Sequence, residues 1–270
     1  MDKFVHAGRS LLELVLLMAV GLVPVFSGLL VINYQQEAKL EENAEVSVRE
    51  AVFSVDQALD RVHEVAMSTL PLAGQPCSRI KGALVDQVTS RSMLRSLAVI
   101  EDGKAYCNSA SDSLEVLTEI ASTGEFLTFD HQMLDAQGYL LMNMHLQGEK
   151  TGVIATSYPM QLRSELDAFK DGLTLVLEFD KHAVWKDGDS LHGERPSVAE
   201  FTHELASTHY PYRVVGGYPE GYIAQEIRTA AFNVLPSLML VGLMTGSVIY
   251  VVLGKMRVRQ RDGAVDRPGR

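Results

Sequence analysis

Two uninterrupted apolar runs constrain everything else this chain can fold into. The first, residues 11–32, carries a single charge, Glu13, and one proline, Pro24. The second, residues 230–253, carries no charge and has Pro236 near its start. A helix rises about 1.5 Å per residue, so a run of about 22 residues reaches about 33 Å, enough for a hydrocarbon core of about 30 Å. Helices in the cores of soluble proteins are rarely so long and so free of charge, and the expectation is two membrane spans. A cleaved signal peptide is the competing reading of the first run. Its apolar region is too long for that, and Asn33, Tyr34, Gln35 and Gln36 stand where a small-residue cleavage site would be needed. An uncleaved anchor is expected.

Basic residues give the orientation. Lys255, Arg257, Arg259 and Arg261 follow the second run, and Lys3 and Arg9 precede the first. Positive charge at the ends of spans marks the cytoplasmic side. The expected layout is a cytoplasmic N-terminus over 1–10, a span over 11–33 and an outer domain over 34–229. A second span over 230–253 and a short basic cytoplasmic tail over 254–270 complete it. The outer segment holds 16 Lys+Arg against 30 Asp+Glu, a net charge of −14. That balance argues against nucleic acid as a partner.

Residues 35–70 read as one long helix. Val48, Val52, Val55, Leu59, Val62 and Ala66 follow one another at spacings of four and three, a heptad-like stripe. Two readings stay open: the stripe packs on its own domain, or it forms a dimer seam that continues the first span. The helix should end before Pro71, with a second helix over 79–95. Asp102-Gly103 predicts a tight hairpin between strands at 96–101 and 104–108. A short helix is expected over 111–122, and strands over 126–129, 139–145 and 152–156. Beyond them come a helix over 159–169, strands over 173–179 and 183–186, a helix over 196–207 and a strand over 212–216. No internal repeat stands out. The pattern predicts an α+β fold, a long N-terminal helix followed by a mostly antiparallel sheet with helices on one side. Such an arrangement resembles the PAS-like extracytoplasmic sensor domains of bacterial receptors.

The chain has two cysteines, Cys77 and Cys107, both in the outer segment. An exported, oxidising location allows a disulfide between them. Closing a loop of about 30 residues would stabilise the domain by about 3.5–4 kcal/mol on the loop-entropy account. The bond would be a plain staple or a redox switch. A metal site is not expected, because two thiols so far apart with no nearby histidine match no zinc spacing.

Pro76-Cys77-Ser78, the stretch from Ser90 to Leu97, and Gly103-Lys104-Ala105-Tyr106-Cys107-Asn108-Ser109 resemble the CSS-motif sensor domain of bacterial EAL-type cyclic di-GMP phosphodiesterases. The likeness runs from the first span through the second. It departs at Asn108, where the family has serine. The resemblance implies a periplasmic domain held in the bacterial inner membrane, and makes Cys77 and Cys107 a thiol–disulfide pair that controls a phosphodiesterase inside the cell. It also implies the envelope's thiol-oxidising machinery as a partner, and a homodimer or a heterodimer with a full-length CSS-motif phosphodiesterase.

In that family an EAL domain follows the second span, whereas only 254–270 follow it here, too few residues for a catalytic core. The triplet Glu115-Val116-Leu117 is a chance echo of the EAL signature, without an array of metal ligands. No Ser-His-Asp set, phosphate loop or carboxylate pair marks an active site, and no cofactor is expected. His182, His192, His203 and His209 lack metal-like spacing and read as surface or core residues. Asp180, Lys181, Trp185 and Lys186 read as a solvated strand edge, or else as the border of a ligand pocket. Gly242 and Gly246 form a small-xxx-small pair in the second span. The expectation is a non-catalytic membrane sensor or regulator. Its alternatives are a truncated cyclic-guanylate-specific phosphodiesterase and a ligand-binding envelope protein with a structural disulfide.

Overall fold

A computed structural model describes residues 2–110, 112–132, 139–148, 150–167, 172–190 and 193–265. His192 and the last five residues of the tail lie outside the described residues. The chain divides into two compact units, Met1–Glu42 with Gly221–Arg270, and Asn43–Glu220.

The first unit holds both apolar runs. They belong to helix α1, Asp2–Thr69, and to the last helix, α5, Tyr222–Val265. Both are long and apolar enough to cross a membrane, and only 6% of each apolar window is buried. A core helix of a soluble domain would be mostly covered, so these surfaces fit a lipid environment. The two helices approach backbone to backbone at Gly21 and Gly242. A Cβ at Gly242 would lie 2.5 Å from the Gly21 carbonyl oxygen. Small residues are what permit such an approach. Gly246, the second member of the pair, faces open space.

In the second unit α1 ends in a short 3-10 turn, Leu70–Leu72, before α2, Cys77–Thr89. Next come β1, Leu94–Glu101, β2, Lys104–Asn108, and α3, Leu114–Thr123. Then follow β3, Leu127–Gln132, β4, Tyr139–Gln147, β5, Thr151–Ser157, and α4, Met160–Leu166. The remaining strands are β6, Thr174–Phe179, β7, His182–Trp185, β8, Gly188–Asp189, β9, Glu200–Ala206, and β10, Arg213–Tyr218. This is the α+β architecture expected, with two differences. Helices cover both faces of the first sheet and not one, α1 on the Leu97 and Val99 face and α3 on the Ala98 and Ile100 face. The strands form two five-stranded sheets, β2-β1-β5-β4-β3 and β8-β7-β6-β10-β9, and each recorded pairing is antiparallel.

The sheets share their wiring. In each, the first strand is flanked by its hairpin partner and by the last strand, and the penultimate strand lies against the last. Only the third strand differs, since β3 extends the β4 side of its sheet and β8 the β7 side. The recurrence is one of connectivity with no echo in the residues.

The expected stripe on α1 is the spine of this unit. Val48, Val52, Val55, Leu59, Val62 and Ala66 are at most 8% exposed. They belong to one core cluster with Leu97 and Val99 of the first sheet and Leu175, Leu177 and Val214 of the second. The packing within the domain leaves those six side chains no surface for a partner helix. Alternate residues of the strands supply the other half of this core, as the period of two demands.

The Asp102-Gly103 turn takes the form its residues favour, with φ of 48° and 74°. Two positive φ values define the hairpin turn whose twist matches the flanking strands. Region 196–207, expected as a helix, contains β9 instead, an edge strand paired with β10 from Ala206↔Arg213 to Glu200↔Tyr218. Local composition there is compatible with a helix, and the free edge of β10 overrides it. The second helix is also shorter than expected, because 94–95 join β1.

Gly216 of β10 is where α1 lies flush on the second sheet. A Cβ there would sit 2.4 Å from Val48 Cγ2 and 2.7 Å from Leu175 Cδ2. The Gly216→Ala variant is expected to lose about 1–3 kcal/mol through overpacking. By contrast, Gly82 lies in α2 with open space where a Cβ would go. Gly82→Ala should gain up to about 1 kcal/mol from helix propensity. Urea denaturation of the intact chain in detergent, followed by near-ultraviolet circular dichroism, measures both shifts. A Gly216→Ala midpoint equal to wild type would contradict the close contact.

Candidate functional site

Cys77 and Cys107 form a disulfide, with Cα atoms 5.3 Å apart. Cys77 is the first residue of α2 and follows Pro76, whose fixed φ suits a helix start. Cys107 lies on β2 opposite Val99 of β1, and is 1% exposed. Cys77 is half-buried. The bond therefore ties the start of α2 to the edge strand of the first sheet.

A second tether runs beside it. The Tyr106 hydroxyl donates to the Gln75 carbonyl at 3.1 Å and accepts from the Gly74 N–H at 2.9 Å. One residue before Cys107, and two and three residues before Cys77, the loop between α1 and α2 is thus held to β2 without any covalent bond. Each hydrogen bond is worth about 0.5–1.5 kcal/mol.

The polar residues after Cys107 finish the sheet edge. Ser109 satisfies both backbone groups of Leu97. Its N–H donates to the Leu97 carbonyl at 2.9 Å, and its Oγ accepts from the Leu97 N–H at 2.9 Å. Asn108 is buried, and its Oδ1 accepts from the Ala110 N–H at 3.2 Å. That is an Asx-type turn, which serine mimics more weakly. The position where the chain departs from the CSS pattern is therefore still a turn former. The sharply bent exit leads to α3, whose N-cap Ser113 accepts from the Glu115 N–H.

The other residues singled out in the sequence scatter. Asp180 and Lys181 line a cleft, whereas Trp185 is buried against Gly188 and Lys186 pairs with Asp167 at 2.6 Å. His182 packs against Phe129 with ring centroids 5.5 Å apart. His209 Nδ1 is 3.5 Å from Asp56 Oδ2, and His203 lies on β9 opposite Gly216. Among the described residues no group of three or more His, Cys, Asp and Glu side chains is placed to hold a metal ion.

One polar cluster was not singled out in the sequence. Asp56 Oδ1, on α1, accepts from the Ser207 hydroxyl and lies 2.7 Å from the Tyr212 hydroxyl. Asp60 Oδ1 accepts from the Tyr210 hydroxyl at 2.6 Å. Burial, with these carboxylate contacts, holds both phenols well above the ordinary tyrosine range. The cluster fastens α1 to the β9–β10 connection. The only sequence signal for it is a pair of acids four residues apart beside an apolar stripe, which is ordinary for a solvated helix face.

Residues 40–231 match the family described as a CSS motif domain associated with EAL. No curated protein matches the chain. Among solved structures, the chain is similar to the sensory domain of the Campylobacter jejuni chemoreceptor Tlp3 (CcmL), with 9% identity and a TM-score of 0.49. That likeness covers 72% of this chain and 99% of that one. The ligand binding domain of the Pseudomonas aeruginosa PAO1 amino acid chemoreceptor PctB, in complex with L-Arg, has 12% identity and a TM-score of 0.47, over 72% and 93%. An extracellular ligand binding receptor from Desulfohalobium retbaense DSM5692 has 6% identity and a TM-score of 0.44. The chain spans 40% of that receptor's length, using 65% of its own.

If the disulfide and Tyr106 are parallel tethers, their losses are coupled. A Cys77→Ser, Cys107→Ser variant should lose about 3.5–4 kcal/mol of stability. Adding Tyr106→Phe should cost more in that background than in the oxidised wild type, as a double-mutant cycle in urea reads out. Equal costs in the two backgrounds would mean that the tyrosine and the bond hold different things.

Proposed function

The chain belongs to the CSS-motif domain family associated with EAL, and on that footing we propose that it is a non-catalytic membrane sensor. In this reading the domain faces the periplasm, the two apolar helices lie in the bacterial inner membrane, and both termini are cytoplasmic. The thiol–disulfide state of Cys77 and Cys107 controls assembly or the activity of a cytoplasmic partner. A full-length CSS-motif phosphodiesterase, joined through the membrane, is the partner proposed. The envelope's thiol-oxidising machinery resets the pair.

The observation that carries the redox part is where the bond sits. It joins the start of α2 to the edge strand β2, at the end of the loop that leaves α1. A change there alters how the long helix is held at its far end. Exchange requires a thiolate to reach a sulfur. Cys107 is buried, so attack falls on Cys77 and expels the Cys107 thiolate into apolar surroundings. A thiolate there is a poor leaving group, since burial raises its basicity. Reduction therefore waits on local opening of the loop that Tyr106 clamps, and the clamp sets the sensitivity of the switch.

The same burial of Cys107 favours a second reading, a structural staple in a ligand-binding envelope protein. Thiol trapping in intact cells separates the two. Under reductive stress, or without the envelope oxidase, the switch requires a reduced population, and Tyr106→Phe should enlarge it. A pair that stays fully oxidised in every condition would leave the staple. Coexpression with a full-length relative should lower that relative's phosphodiesterase activity. Unchanged activity and oligomeric state would exclude the partnership.

A further inference from the structure

The α3 face of the first sheet carries a polar row that the core leaves unfinished. Ser96, Thr156, Asn143 and Thr128 stand opposite one another across β1, β5, β4 and β3. Ser96, Thr156 and Asn143 are at most 2% exposed. Thr156 Oγ1 donates to Asn143 Oδ1 at 2.8 Å. Among the described residues, that leaves Ser96 Oγ, Asn143 Nδ2 and Thr128 Oγ1 buried without a hydrogen-bond partner. Their neighbours on the same face, Ala98 and Ile154, show that apolar side chains are accommodated there. A chain selected for stability alone has no use for three unanswered donors in an otherwise apolar layer.

The row runs out to the free edge of the sheet, where β3 pairs with β4 alone. A cleft of about 720 Å³ opens there, and Thr128 is part of its wall. Val116 and Ile120 of α3 and the rings of Phe126, Phe129 and Phe179 make the apolar part of that wall. Phe129 and Phe179 lie with centroids 4.7 Å apart. Glu119, Glu125 and Asp180 also line the cleft, against Lys181 as the one lysine or arginine in the lining among the described residues. Aromatic faces attract cations through their quadrupole, and a carboxylate excess adds to that. Thr128, with its orphaned hydroxyl, is the member of the row in that wall, and the hydroxyl is a donor that calls for an acceptor.

We propose that this cleft binds a small organic ammonium ion that carries a hydrogen-bond acceptor, a hydroxyl or a carboxylate. The ammonium lies among the phenyl rings and the carboxylates, and the acceptor takes the proton of the Thr128 hydroxyl. The site is remote in role from the cysteines, and its test is independent of whether their bond is a switch.

The intact chain in detergent is the material, and choline and glycine betaine are the probes. Tetramethylammonium, which lacks an acceptor, and acetate, which lacks the cation, are the controls. Choline or betaine should raise the unfolding temperature in a concentration-dependent way, and the controls should do so weakly or not at all. Thr128→Val removes an orphaned donor, so it should leave the free protein as stable as wild type or more so, while abolishing the ligand-induced rise. Glu125→Gln and Asp180→Asn, at exposed positions, should weaken the rise without affecting the fold. No rise with either probe would overturn the proposal, as would a rise that survives both the Thr128→Val and the Asp180→Asn substitutions.

Discussion

The contact between one face of α1 and both sheets is the interaction on which the outer domain depends. Neither sheet has a core of its own on that side. Leu97 and Val99 from one and Leu177 and Val214 from the other meet the same helical stripe. Burying a large aliphatic side chain contributes about 1.5–3 kcal/mol, so a stripe of this length outweighs any single polar contact in the unit. Its geometry is exacting because the helix approaches β10 closely enough to require glycine at position 216. The Asp56 and Asp60 cluster then fixes the rotation of the helix, pinning its polar flank to Tyr210 and Tyr212.

The disulfide acts at the end of this helix and not along it. Between Thr69 and Cys77 the chain turns through a 3-10 segment, and the bond with Cys107 decides where that turn is anchored. The Tyr106 clamp holds the same loop to the same strand. With two tethers in parallel, loss of one leaves the loop in place but lowers the cost of freeing it. That is the condition for a local change that does not unfold the domain.

Much of this was legible in the residues, wherever a pattern had one structural solution. The two long apolar runs, the spacing of Val48 through Ala66, and Asp102-Gly103 each point to one local structure. The segment around Phe201 does not, since its strand exists only because β10 offers an edge. The division into two sheets was invisible for a similar reason. Strand order is a property of pairing between distant segments, and the shared wiring of the two sheets leaves no repeated residues. The cysteine pair was legible as a candidate, whereas Tyr106 was not, because its hydroxyl partners are backbone atoms. The polar row could have been found in part. Ser96 and Asn143 are polar residues inside β1 and β4, at positions whose alternation marks them as inward-facing.

The common wiring of the two sheets also dictates an order of events during synthesis. Each sheet closes only when its last strand returns to its first, so the first can be complete at Ser157 while β6 to β10 are still unmade. The cysteines both belong to the early part and can join before the second sheet exists. Until β10 arrives, however, the length of α1 around Val48 has no sheet to cover it. A nascent chain paused there shows a bare apolar helix face to whatever is nearby, which makes the second sheet a late-fitting shield and the interval before it the stage most exposed to aggregation.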